Sequence, residues 1–115
     1  MWKIIFYSLD DGTIPIQVFL ESLPEKLHAK ALRDIDMLEK YGTMLTEPHV
    51  KHVEGKLWEL RVKLGNDISR IFYFIAVRDT IVLLHGFVKK TQRIPKAEIE
   101  RAKTYLEDYQ RRHNQ

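Results

Sequence analysis

The chain has 115 residues, 44% hydrophobic and 30% charged, with a formal charge of +3, a length that fits one domain able to bury roughly two-thirds of its unfolded surface. It contains no cysteine, which excludes disulfides, thiol catalysis and a zinc–thiolate site and suits the cytosol. No apolar run approaches the roughly 20 residues of a membrane span, and the apolar part of the N-terminal MWKIIFYSLDDG is too short for a signal peptide and lacks a small-residue cleavage site.

The charge is polarised along the chain. Residues 1–50 hold five Lys/Arg against eight Asp/Glu, net −3. Residues 51–94 hold nine against four, net +5, and residues 95–115 hold five against four, net +1. A basic stretch of this kind is either the footprint of a polyanionic partner or a solvated sheet face.

Taken in order, Trp2–Leu9 is rich in β-branched and aromatic residues, ends at Asp10-Asp11-Gly12 and reads as a strand of about five residues. Pro15 opens a short helix over Ile16–Leu23 with Val18, Phe19 and Leu23 inward. Ser22 and Glu25 have the spacing of a capping box. The helix it would open runs to about Tyr41, buries Leu27, Ala31, Ile35 and Leu38, and ends on Gly42 as a left-handed cap. Thr43–Lys56 has no clear period and reads as a connection with a brief extended piece at Val50–Val53.

Three strand-like runs follow, joined by tight turns. In Leu57–Leu64 the period is two: Trp58, Leu60, Val62 and Leu64 face one way, and Leu57, Glu59, Arg61 and Lys63 the other. In Ile68–Val77, Ser69, Ile71, Tyr73, Ile75 and Val77 share one face, Arg70, Phe72 and Phe74 the opposite one. Gly65-Asn66-Asp67 is hairpin chemistry. Thr80–Val88 is apolar on both faces, as a central strand is, and ends in Lys89-Lys90. Pro95 begins a last helix through about Tyr109, with Ile99, Ala102, Leu106 and Tyr109 inward and a fraying RRHNQ tail. The order predicts an α+β fold, a small antiparallel-rich sheet with an N-terminal helical hairpin and a C-terminal helix, the helices on one sheet face.

The chemistry lies in the strands. Arg61 and Arg70 on neighbouring antiparallel strands would sit roughly 5–8 Å apart at their Cβ atoms. Guanidiniums bind phosphate bidentately and stabilise charge developing on a phosphoryl group. Phe72 and Phe74 on the same face would either stack unpaired bases or lie under the last helix. Lys63, Lys89, Lys90 and Arg93 extend the cationic set, and His49 and His52 flank it. His85, inside an apolar run, reads as a buried, hydrogen-bonded histidine. Glu59 is either a base held by Arg61 and Lys63 or their surface partner. His49 and His52 have no carboxylate or thiol to complete a metal site, so no metal and no cofactor are expected. No Gly-rich phosphate loop and no nucleophile motif occurs.

LWELR at Leu57–Arg61, RIFY at Arg70–Tyr73, LLHGFVKKT at Leu83–Thr91 and a helix opened after Pro95 together resemble the RelE/ParE superfamily of toxins. The match is nearest to its HigB-like, phage-derived subgroup and extends in element order over nearly the whole chain. The resemblance implies a RelE-like fold and a ribosome-dependent mRNA endonuclease, the toxin of a type II toxin–antitoxin pair, cleaving without metal by attack of the ribose 2′-hydroxyl on the adjacent phosphate. It implies catalytic roles for Arg61, Arg70 and Lys90, or Lys89 in place of Lys90. It also implies a helix-turn-helix antitoxin as partner, a complex containing two toxins, and action at the ribosome and on mRNA. Glu59 stands where some RelE-like toxins carry a lysine, and the late tyrosine of some relatives is missing from Thr91–Lys96. Glu59, His49 and His52 are the substitutes for proton transfer. The same fold also hosts ParE-like gyrase inhibitors; that reading, and a non-catalytic basic interaction protein, are the alternatives.

Overall fold

The computed structural model describes residues 1–89 and 93–113. The chain runs β1 (Lys3–Phe6), α1 (Pro15–Glu21), α2 (Glu25–Tyr41), a 3-10 turn (Gly42–Met44), β2 (Val50–Glu54), β3 (Leu57–Leu64), β4 (Asp67–Ile75), β5 (Thr80–Lys89) and α3 (Lys96–Arg112). The strands form one sheet in the order β1-β5-β4-β3-β2, antiparallel except where β1 lies parallel to β5. β2 is the edge strand and coincides, to within one residue, with the extended piece expected at Val50–Val53.

Each face of the sheet carries its own core. On one, Leu60, Val62, Ile71, Tyr73, Ile81 and Leu83 meet the apolar stripes of α1 and α2: Ile16, Phe19 and Leu20 from the first, Leu27, Ala31, Ile35 and Leu38 from the second. On the other, Leu57, Phe72, Phe74, Val82, Leu84 and Phe87 meet Ala102, Leu106 and Tyr109 of α3. The expectation of all helices on one face is therefore corrected. β4 and β5 present apolar side chains to both sides, and a sheet so patterned needs a cover on both. A bulge pairs Phe72 with His85 but Tyr73 with Leu83, which turns Leu84 into the α3-side core.

Local details follow from neighbouring residues. Val18 is 58% exposed and is not an inner residue; Ile16, Phe19 and Leu20 take that role. The Ser22–Glu25 capping box does not form. Pro24 is the N-cap of α2, and the Ser22 hydroxyl instead donates to Phe19 O at 2.6 Å, closing α1. Gly42 ends α2 with φ +50°, and a Cβ there would lie 2.0 Å from Trp2 Nε1, so the indole lies where any side chain would stand. Gly86 likewise lets Phe19 of α1 lie flat on β5, where a Cβ would meet its ring at 2.6 Å.

α3 is fastened at both ends. At its start, buried His85 meets Glu98 Oε1 through Nε2 at 3.1 Å. At its end, the Tyr7 hydroxyl donates to Asp108 Oδ2 at 2.6 Å, and Arg112 donates to Ser8 O at 2.6 Å. Arg111 and Arg112 belong to the helix rather than to a fraying tail. Burial and the Asp108 hydrogen bond push the Tyr7 phenol up to about 12. No helix among the described residues is long and apolar enough to cross a membrane.

Candidate functional site

The α3-side face of the sheet is built in rows set by strand register. One row runs Lys51–Glu59–Phe72–His85, the next Arg61–Arg70–Phe87, and a third Lys63–Ile68–Lys89. α3 packs over Phe72 and Phe87 at the β4–β5 end of the first two rows, with His85 bonded to its Glu98. It leaves the β2–β3 end and the third row open, and these are basic. The uncovered half is a groove of about 870 Å³. Its lining includes Lys51, Arg61, Lys63, Arg70, Lys89 and Arg93, six cations, with Glu59 as the one carboxylate, and Ile94 and Ile99 lie on the α3 side.

The floor is an ion-pair knot. Arg70 is 3% exposed and Glu59 1%. Arg70 Nη1 donates to Glu59 Oε1, and Arg61 Nε lies 3.4 Å from the same oxygen. Two like charges placed opposite each other in register, Arg61 and Arg70, are thus held by one anion between them. Among the described residues, Glu59 Oε2, Arg61 Nε and Arg70 Nε are buried atoms without a hydrogen-bond partner. Such groups are costly unless a ligand satisfies them. The knot carries one net positive charge.

That imbalance acts on its neighbours. Burial pushes the Arg70 guanidinium below its ordinary value; Glu59 opposes this and Arg61 adds to it. Lys89 is also pushed down, first by burial, then by Arg70, with Glu59 opposing and Arg61 and Lys51 reinforcing. A groove whose own cations depress one another favours an anion inside it. Planar guanidiniums beside flexible ammoniums suit a phosphate: the former grip its oxygens in pairs, the latter add charge without fixed geometry.

The sequence-predicted residues divide as follows. Arg61, Arg70, Lys63, Lys89, Arg93 and Glu59 come together at the groove. Lys90 lies outside the described residues. Phe72 and Phe74 are 0% exposed; as base-stacking residues they are corrected, because α3 covers them and Tyr109 packs edge-on against Phe74. Glu59 is no exposed surface partner: it is 1% exposed and its carboxylate is engaged by Arg70 and Arg61 at the groove floor. His49 is exposed and does not line the groove. His52 stands at the groove's rim, but register pairs it with Trp58. Its ring meets that indole edge-on and its Nε2 meets Gly55 O at 2.7 Å, so it faces away from Arg70. Lys51 was missed. Its alternation with buried Val50 carried the signal, within a stretch too short and charged to read as a strand. Among the described residues no three His, Asp or Glu side chains cluster to hold a metal ion.

A five-stranded sheet with a helical hairpin on one face and a single helix beside a basic groove on the other has the RelE fold. The archaeal RelE of the RelE–RelB complex from Pyrococcus horikoshii OT3 superposes with a TM-score of 0.54 at 24% identity, over 77% of this chain and 96% of that one. The chain belongs to the family described as phage derived protein Gp49-like (DUF891), whose model matches residues 18–107. No curated protein matches it. The phage-derived affiliation and the RelE-like fold expected from the motifs are both met.

Proposed function

We propose that this protein is the toxin of a type II toxin–antitoxin pair and acts as a ribosome-dependent mRNA endonuclease. The observation that carries the reading is the groove: Lys51, Lys63, Lys89 and Arg93 around a buried arginine–glutamate knot with a net positive charge. An mRNA strand lies along it with one phosphodiester above Arg61 and Arg70. The 2′-oxygen bonds to phosphorus as the P–O5′ bond breaks, leaving a 2′,3′-cyclic phosphate and a 5′-hydroxyl. The guanidiniums neutralise the oxygens on which charge develops. Lys89, whose amine is pushed below its ordinary value by burial and by nearby Arg70, is the groove group suited to carry protons to and from the two hydroxyl oxygens. The fold shared with an archaeal RelE solved together with RelB supports a cognate antitoxin as partner, here a helix-turn-helix protein binding two copies of the toxin.

A short pulse of expression tests this. Translation should stop while chromosomal DNA stays intact, and a folded Arg61→Ala variant should lose most of the arrest. DNA damage preceding the translational stop would replace the reading with gyrase inhibition. Normal growth would leave a non-catalytic basic protein.

A further inference from the structure

The two arginines at the floor are not equivalent, and Glu59 makes them so. Arg70 is buried to 3% exposure and hydrogen-bonded to Glu59 Oε1. The Arg61 side chain is 24% exposed and touches the same oxygen at 3.4 Å through an Nε that makes no hydrogen bond. One carboxylate oxygen therefore serves two guanidiniums, tightly for one and loosely for the other. A phosphate oxygen arriving in the groove competes for the loosely held partner first, because releasing Arg61 leaves Glu59 paired with buried Arg70, whereas releasing Arg70 leaves the buried carboxylate only its looser contact with Arg61.

We propose that Glu59 is a positioning residue: it pins Arg70 as a fixed anion receptor and parks Arg61, which swings onto an incoming phosphodiester. This deepens the reading above and rests on it for the identity of the ligand. Glu59 takes no proton in this scheme. Its carboxylate is engaged by Arg70 and Arg61, and its work is to hold two like-charged groups close together without letting them repel.

The side-chain Nε–Hε signals of Arg61 and Arg70 in nitrogen-15 NMR report this directly. The probe is a short single-stranded DNA, which carries the phosphodiesters but lacks the 2′-hydroxyl and so resists cleavage. In the wild-type protein the Arg70 signal should exchange slowly with water and hold its position on titration, while the Arg61 signal shifts. In Glu59→Gln the Arg70 signal should lose its protection, and DNA affinity should stay equal or rise, since a negative charge has left the groove. In Arg61→Gln, Arg70 should stay protected and DNA affinity should fall about tenfold, the loss of one charge-assisted contact.

A protected Arg70 in folded Glu59→Gln would overturn the pinning, with no nucleic acid involved. An Arg70 signal that moves while Arg61 stays still would overturn the division of labour. DNA that disturbs no groove signal would overturn the swing and, with it, the groove's reading as a phosphodiester site. A DNA-responsive Arg61 in a protein that cuts no mRNA in cells would leave this inference standing and remove the nuclease. If Glu59→Gln does not fold, the Arg61→Gln arm decides: loss of Arg70 protection there would contradict a pin made by Glu59 alone.

Discussion

Arg61 and Arg70 stand opposite each other on adjacent strands, a placement of like charges that destabilises a sheet unless something is set between them. Glu59, two residues before Arg61 and so on the same face, is that something. The knot is a weak source of stability but a fragile one: a buried pair contributes little, whereas removing one partner strands the other. Arg70→Leu alone should therefore cost about 3–5 kcal/mol in denaturant unfolding. The double variant Glu59→Leu/Arg70→Leu should recover most of that loss and fold without the buried ion pair. A single variant as stable as the wild type would mean that Glu59 is solvated after all. The residue types and spacing of this site were readable from LWELR and RIFY. Which carboxylate belonged to which cation was not, because it depends on side-chain packing across β3 and β4 that strand alternation does not specify.

α3 decides which part of the sheet is core and which is groove. Its cover over Phe72 and Phe74 was one of two readings the strand pattern left open, since an apolar residue beside an arginine fits a ligand surface as well as a second core. The clue lay in a gradient along Ile68–Ile75: the end holding Arg70 is polar on one side, and the end holding Phe74 is apolar on both. Where α3 begins, His85 is 3% exposed, bonded to Glu98, with Arg101 beside that carboxylate and the Phe72 and Tyr105 rings around it. Burial holds its imidazole below the ordinary 6.5 more than Glu98 lifts it. With the folded value depressed, the unfolded chain binds the extra proton first as pH falls, so stability is complete above about 6.5 and is lost on acidification below it. The denaturation midpoint should drop between about pH 7.5 and pH 5, and His85→Asn should flatten that part of the slope. An unchanged slope would assign the loss to other groups. On the opposite face, Gly86 seats α1. Gly86→Ala must push back the Phe19 ring, and the backbone oxygen of Arg70 stands 3.0 Å from the new carbon. About 1–3 kcal/mol of destabilisation should follow in thermal unfolding; a neutral result would mean that α1 shifts freely.

At the scale of the whole molecule, the acidic N-terminal half builds the hairpin layer and the basic segment 51–94 builds the groove. That division was visible in the charge count alone, and Pro15, Pro95 and the period-two strands marked the element order. The groove itself was not visible, because it is the part of one face that a helix fails to cover. Its charge predicts the character of binding. For a single-stranded oligonucleotide contacting four to six of the cations, the logarithm of affinity should fall against the logarithm of salt with a slope of about −3 to −4, and Lys63→Ala should reduce it by about 0.7. A slope near zero would mean that the groove does not track a phosphate backbone.

The measurement that bears most directly on the nuclease reading is a map of mRNA 5′ ends in cells after a short pulse of this protein, wild type against a folded Arg61→Ala/Arg70→Lys variant. The variant keeps a cation for Glu59 but loses both guanidinium forks. New in-frame 5′-hydroxyl ends that need ongoing translation, and that disappear in the variant, are the predicted result. Intact mRNA in arrested cells, or the same cuts made by the variant, would contradict it.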